Sequence, residues 1–227
     1  MRKLLAVFLC FLCLSPAARA EEAEEKYVAL TFDDGPSGRF TRRLLEGLEA
    51  RDARATFLLC GYRLKQYPEL ARQMLDQGHE LGLHGYSHRD MRGLSRREIG
   101  KEIMDTEALM PEGCRITFLR PPGGFITDGV RQVARARNYA LLGWSVDPLD
   151  WKVRDTAAIC SSVTDCVRDG DIVLLHDMSD SSVDAALEII DRLQEADFSF
   201  VTVSELMRLR SIRPVPGQEY KRLPPQE

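Results

Sequence analysis

Asp33 and Asp34 stand side by side and are followed by Gly35 and Pro36. His84 and His88 are four residues apart, and Arg120 opens an Arg-Pro-Pro-Gly-Gly run. Asp147 and Asp150 flank Pro148 and Leu149, and His176 closes an apolar stretch. One carboxylate and two imidazoles make a three-ligand site with positions left open, which suits catalytic Zn²⁺ or non-haem Fe²⁺. A second carboxylate beside such an ion can serve as base toward water. A histidine across the site can serve as the acid. Hydrolysis is the chemistry these residue types favour.

Each element also has a plainer reading. Asp33-Asp34-Gly35-Pro36 can be a turn with a helix cap. Arg120 can be a surface charge on a stiff loop, Asp147 to Trp151 a capped turn, and His176 a satisfied core histidine. His79 precedes its strand and reads as structural. The glycines Gly82 and Gly85 put His84 and His88 on a loop, where two imidazoles can still reach one ion. Position separates the two sets of readings.

Apolar runs of strand length alternate with helical periodicity along the chain. Strands are expected at 27–32, 55–60, 80–84, 116–120, 140–146, 172–176 and 198–203. Helices are expected near 38–52, 67–77, 95–110, 127–137, 156–168, 182–195 and 204–210. Seven β-then-α units imply one α/β domain over 27–210 with a parallel sheet, either an open doubly wound sheet or a closed barrel. In that frame every residue named above except His79 falls at the C-terminal end of a strand, the edge where enzymes of this architecture place their sites. All the plain readings would have to coincide at that one edge. A Pro-bearing tail, 211–227, reads as an extended strap.

Composition narrows the class. With 44% hydrophobic and 29% charged residues, the 227-residue chain is neither disordered nor fibrous and can build one core. A net charge of −4 argues against nucleic acid as a partner. Met1-Arg2-Lys3, the apolar run Leu4 to Leu14 and Ala18-Arg19-Ala20 have the pattern of a secretory signal over 1–20, too short to span a bilayer. An acidic linker, 21–26, follows. The reading is an exported protein without a membrane anchor. Cys60, Cys114, Cys160 and Cys166 then remain. Cys160 and Cys166 lie too far apart along one helix to bridge, and the four are read as packed apolar groups.

In order, these segments resemble the five motifs of the polysaccharide deacetylase family, carbohydrate esterase family four. Thr31-Phe32-Asp33-Asp34-Gly35 is similar to the first motif, which implies Asp33 as general base and Asp34 as metal ligand. His84-Gly85-Tyr86-Ser87-His88 is similar to the second, which implies His84 and His88 as the other ligands and Tyr86 at the substrate. Arg120 to Gly124 resembles the third, with Arg120 holding the catalytic aspartate and the Gly123 N–H facing the oxyanion. Asp147 to Trp151 resembles the fourth, with Asp150 orienting the catalytic histidine and Trp151 lining a sugar groove. Leu174-Leu175-His176 resembles the fifth, with Leu174 against the acetyl methyl and His176 as general acid.

The resemblance implies a distorted (β/α) barrel of about seven parallel strands and one divalent ion, Zn²⁺ first. It further implies hydrolysis of acetyl groups from N-acetylglucosamine in peptidoglycan or a chitin-type oligosaccharide. An acetylxylan-type O-deacetylase, a non-catalytic sugar-binding relative and a redox iron enzyme are the other readings. Two departures stand out: the family usually has Ser or Thr at the position of Gly85, and Tyr at the position of Gly123.

Overall fold

The computed structural model describes residues 25–225, so the expected signal segment lies outside the described residues. Strands β1 (Lys26–Asp33), β2 (Thr56–Leu59), β3 (Glu80–Leu83), β4 (Phe118–Leu119), β5 (Ala140–Leu142), β6 (Ile172–His176) and β7 (Phe198–Phe200) pair in parallel, as expected. An eighth strand, β8 (Glu219–Tyr220), comes from the tail and pairs with β5. The order is β6-β1-β2-β3-β4-β5-β8, with β7 beside the start of β1.

β1 shows how the two faces are divided. Successive side chains on a strand point to opposite faces. Val28, Leu30 and Phe32 join the outer layer with Phe57, while Ala29 faces the inner layer with Leu58, Phe118, Leu142 and Ile172. Thr31 and Asp33 continue that inner face upward, and their polar groups are bonded there to Arg120. The strands therefore read as continuous apolar runs, the mark of a parallel sheet buried on both sides.

Helix α1 (Arg39–Glu49) buries Thr41, Leu44, Leu45 and Leu48, a single stripe at helical spacing. α8 (Asp180–Gln194) buries Val183, Ala186, Ile189, Ile190 and Leu193 against the same layer. α3 (Pro68–Asp76), α4 (Arg96–Glu107), α5 (Asp128–Ala136), α7 (Thr156–Thr164) and α9 (Val203–Leu209) lie within or close to the expected ranges. Capping boxes start two of them, Ser95 with Glu98 and Thr202 with Glu205. Two short helices were not legible, α2 (Gly61–Gln66) and α6 (Asp150–Val153). α9 closes the bottom of the inner layer with Val203, Leu206 and Met207. The four described cysteines are unpaired.

Candidate active site

The strand ends deliver the expected groups to one place. Asp33 is the last residue of β1 and lies in register with His176, the last of β6. His84 follows β3 directly, and Arg120 follows β4. Together with the loop after β5 they surround a cavity of about 440 Å³ lined by Asp33, Asp34, His84, His88 and His176. Gly123, Leu174, Trp151 and Asp147 complete that lining with Gly124, Phe125, Trp144 and Leu149. Arg120 and Asp150 lie buried behind the lining, and among the residues expected at the substrate Tyr86 is the exception. It does not line the cavity; its ring packs across Gly61 at the start of α2 instead.

Arg120 is fully buried, and each of its three guanidinium nitrogens donates a hydrogen bond. It bonds the Asp33 carboxylate at 2.6 Å, Thr31 Oγ1 at 2.9 Å, and the carbonyls of Leu142 and Gly143 at 3.2 and 2.8 Å. A buried guanidinium held by four acceptors cannot swing, so it fixes Asp33 against the inner wall. The other Asp33 oxygen lies 3.7 Å from His84 Nε2.

Asp34, His84 and His88 present ligand atoms within 4.8 Å of one another. His84 Nδ1 is 2.7 Å from the Arg120 carbonyl, which can only accept. Nδ1 therefore carries a proton, and the ring is turned so that Nε2 faces Asp34 Oδ1 at 3.3 Å. His88 Nε2 lies 2.9 Å from the same oxygen. Asp34 Oδ1 is buried without a hydrogen-bond partner. Two ring nitrogens converging on a buried carboxylate oxygen are the arrangement a cation can fill, and one carboxylate with two imidazoles is a donor set zinc takes. The trio fits a divalent ion.

The backbone is bent to make this fit. Asp34 (φ 74°) and His88 (φ 56°) both adopt the left-handed region, which costs a non-glycine residue on the order of 1–3 kcal/mol. Two supports went unseen in the sequence. Glu102 of α4 accepts from the N–H groups of Tyr86 and Ser87 and from the Ser87 hydroxyl, each at 2.8 Å. It ties the histidine loop to α4. Gly85 itself has φ +81°, and a Cβ there would meet Met91 at 2.9 Å. Behind Asp34, the buried Asp177 accepts from Thr41 Oγ1, and a Cβ on Gly35 would lie 2.6 Å from its Oδ1. Burial pushes the Asp177 carboxyl up to about 7.

Across the cavity, His176 Nδ1 meets Asp150 Oδ1 at 2.7 Å, and Asp150 Oδ2 accepts the His176 N–H at 2.9 Å. Asp150 is wholly buried at the start of α6, whose entry residue Leu149 has φ 54°. Burial by itself would lower the imidazole. The hydrogen bond and charge of Asp150 outweigh it and lift His176 to about 9, so it is protonated at neutral pH. Its Nε2 is the nitrogen left to serve the cavity. His79 lies far from this edge, buried against Phe57, where loss of solvent holds it down to about 4.

Comparison with known proteins places this constellation. Residues 20–142 match the sequence family described as polysaccharide deacetylase. The peptidoglycan-N-acetylmuramic acid deacetylase PdaC of Bacillus subtilis is 38% identical over 87% of this chain, and the match spans 42% of its length. A peptidoglycan-N-acetylglucosamine deacetylase of Bacillus cereus is 36% identical over 82% of this chain and 90% of its own. Among solved structures, a family 4 acetyl xylan esterase from Clostridium thermocellum in complex with a cobalt ion is 32% identical. It superposes with a TM-score of 0.82 over 88% of this chain and all of that one.

Proposed function

Because the chain belongs to the polysaccharide deacetylase family, we propose that it is a metal-dependent N-deacetylase of N-acetylglucosamine residues in peptidoglycan. A chitin-type oligosaccharide is the second substrate. The observation that carries the reading is the pairing of a fixed carboxylate, Asp33, with a protonated imidazole, His176, across one cavity that also holds a three-residue cation site.

Asp34, His84 and His88 would hold one divalent ion, Zn²⁺ by donor type, and that ion would supply Lewis-acid polarisation of the acetyl carbonyl. Asp33, oriented by Arg120, takes a proton from the attacking water. The Gly123 N–H donates to the oxyanion as the carbonyl carbon becomes tetrahedral. Leu174 faces the acetyl methyl and Trp151 offers a half-exposed indole to the sugar. His176, charged through Asp150, gives its proton to the departing nitrogen, so the amino sugar leaves as a neutral amine beside acetate. Export follows from the signal-like residues 1–20 and from the wall polymer as substrate.

The test is acetate release by the purified protein from an N-acetylglucosamine tetramer, from peptidoglycan and from acetylated xylan, with and without a chelator. Release from the tetramer or peptidoglycan, abolished by chelation, is the expected result. Muropeptide mass analysis tells glucosamine from muramic acid as the deacetylated sugar. Release from xylan alone would replace the reading with the esterase activity named for the Clostridium thermocellum relative. No release from any polymer would leave a sugar-binding protein.

A further inference from the structure

A cavity larger than the catalytic one, of about 610 Å³, lies at the opposite end of the sheet. Glu80 is the first residue of β3 and Thr117 precedes β4, whereas His84 and Arg120 leave the other ends of the same two strands. Arg115 enters from the loop before β4, Arg208 from α9 and Arg213 from the tail. We propose that this cavity is a binding site for a phosphate monoester of a sugar or polyol, a ligand separate from the polymer whose hydrolysis is proposed above.

The charge of the lining sets the class of ligand. Within the described residues, the guanidinium groups of Arg115, Arg208 and Arg213 have no ion-pair or hydrogen-bond partner. Arginines on neighbouring segments are matched, Arg54 with Glu205, Arg210 with Asp169 and Arg222 with Asp171. Three guanidiniums against the one Glu80 carboxylate leave an excess of two positive charges in the lining. Like charges gathered at one mouth repel unless an anion answers them. A phosphate monoester carries about 1.5–2 negative charges at neutral pH on three acceptor oxygens, which matches that excess. Planar guanidiniums meet such a group with paired N–H donors. A single carboxylate supplies only half the charge.

The rest of the lining indicates what the phosphate is attached to. Met207, Ile212 and Pro214 make an apolar side, and Thr117 and Ser204 bring hydroxyl groups. A short carbon skeleton rests on the first, and its own hydroxyls bond to the second and to the free lone pairs of Glu80. Bare phosphate would leave both idle. The volume falls within the ~300–1,000 Å³ of a whole-ligand pocket.

The walls are fixed by bonds between separate segments. Glu80 accepts from the Thr56 hydroxyl and the Ser204 N–H, both at 3.0 Å, and from the Ser204 hydroxyl, which pins α9 to β3. Burial raises the Glu80 carboxyl, and these donors oppose the rise. The Ile212 N–H donates to the Met207 carbonyl at 2.8 Å, and Ile212 packs against the inner layer. The tail is thereby turned back at the end of α9, and it carries Arg213 to the cavity.

The experiment is calorimetric titration of the purified protein, at fixed ionic strength, with sn-glycerol 3-phosphate, inorganic phosphate, succinate and glycerol. The parent is compared with Arg115→Gln, Arg208→Gln and Arg213→Gln. All three arginines are exposed, so the variants should fold. Melting curves check this, and the folded variants decide. The expected result is that glycerol 3-phosphate binds the parent more tightly than the other three do, and about tenfold more weakly to each variant. That factor is the scale of one charge-assisted hydrogen bond. A lipid headgroup offers the same phosphate, so co-sedimentation with phosphatidylcholine vesicles, with and without phosphatidic acid, forms a second arm. Capture that needs phosphatidic acid and is weakened by the substitutions supports the site with a lipid as source. Binding of the free ester alone supports it with a soluble one. Failure of both arms, or binding that no substitution weakens, overturns the site. Equal affinity for succinate or inorganic phosphate overturns the ligand class. Acetate release is not read, so the outcome is separate from that of the deacetylase test.

Discussion

At the scale of residues, the site separates two carboxylates that are adjacent in sequence by giving them different partners. Asp33 is held by the Arg120 guanidinium, whereas Asp34 turns to two imidazoles. Asp33→Asn keeps the shape and removes the basicity, so turnover should fall by roughly 10²–10⁴ while metal content is retained. A variant within threefold of the parent would move the base elsewhere. His176 is tested by its pH dependence. Its folded-state pKa of about 9 lies above the ordinary 6.5, so the pair with Asp150 contributes its full stability below pH ~6.5 and loses it as pH rises through 9. Activity should decline on the same alkaline side, and Asp150→Asn should move that limb toward neutral pH, as read from kcat against pH. The leaving group supplies a further check. An amine departs poorly unless protonated, whereas an aryl oxide needs no proton, so His176→Ala should damage N-acetyl cleavage far more than aryl acetate cleavage. Equal losses would show that His176 acts on the oxyanion or on structure.

At the scale of elements, the site is a set of loops leaving one edge of a parallel sheet, and this much was legible in the sequence. Seven strands, their order of appearance and the groups at their ends follow from apolar runs, because a doubly buried strand has little other way to read. The supports were hidden for a physical reason. Glu102 is an exposed-looking acid on an amphipathic helix, and only the folded chain brings it to Tyr86 and Ser87, fifteen and more residues away. Phe125 was likewise invisible as a wall, since its role depends on the left-handed backbone at Gly123 and Gly124. The short α2 and α6 carry too few residues to show a period. Glu102 has the sharper consequence. Groups that orient metal ligands usually change metal affinity by about 10–100-fold when removed. Glu102→Ala should lower zinc affinity by that factor in competition with a chromogenic chelator, with the fold intact by circular dichroism. An unchanged affinity would mean that the histidine loop is held by its backbone bonds to α2, such as the Gly61 N–H to the Gly85 carbonyl at 3.0 Å.

At the scale of the molecule, the seam between β5 and β6 is closed at two levels: Val146, after β5, bridges Val173 of β6, and the tail covers the rest. The Gln218 and Tyr220 carbonyls accept from Leu141 and Gly143, both at 2.8 Å, and three residues later the Leu223 N–H donates to the Gly170 carbonyl at 2.7 Å. Arg222 bridges to Asp171 just before β6, so one short segment links both sides of the gap. Pro214, Pro216, Pro224 and Pro225 make the tail read as an extended strap. Composition does not reveal that Tyr220 and Leu223 enter the inner layer beside Ile172 and Met207, because one tyrosine and one leucine among polar residues show no period. The same segment carries Glu219 and Lys221 to a small cavity that shares Gly123, Gly124, Phe125 and Trp144 with the catalytic one. Leu223 is 1% exposed and contributes through burial alone. Leu223→Ala should therefore cost about 2–5 kcal/mol, a fall of roughly 5–15 °C in Tm for a domain of this size. Leu209 of α9, 39% exposed, is the internal comparison, and Leu209→Ala should stay within about 0.5 kcal/mol of the parent. Scanning calorimetry of the two variants decides the matter. Equal and small shifts would mean that the tail lies on the barrel without holding it closed.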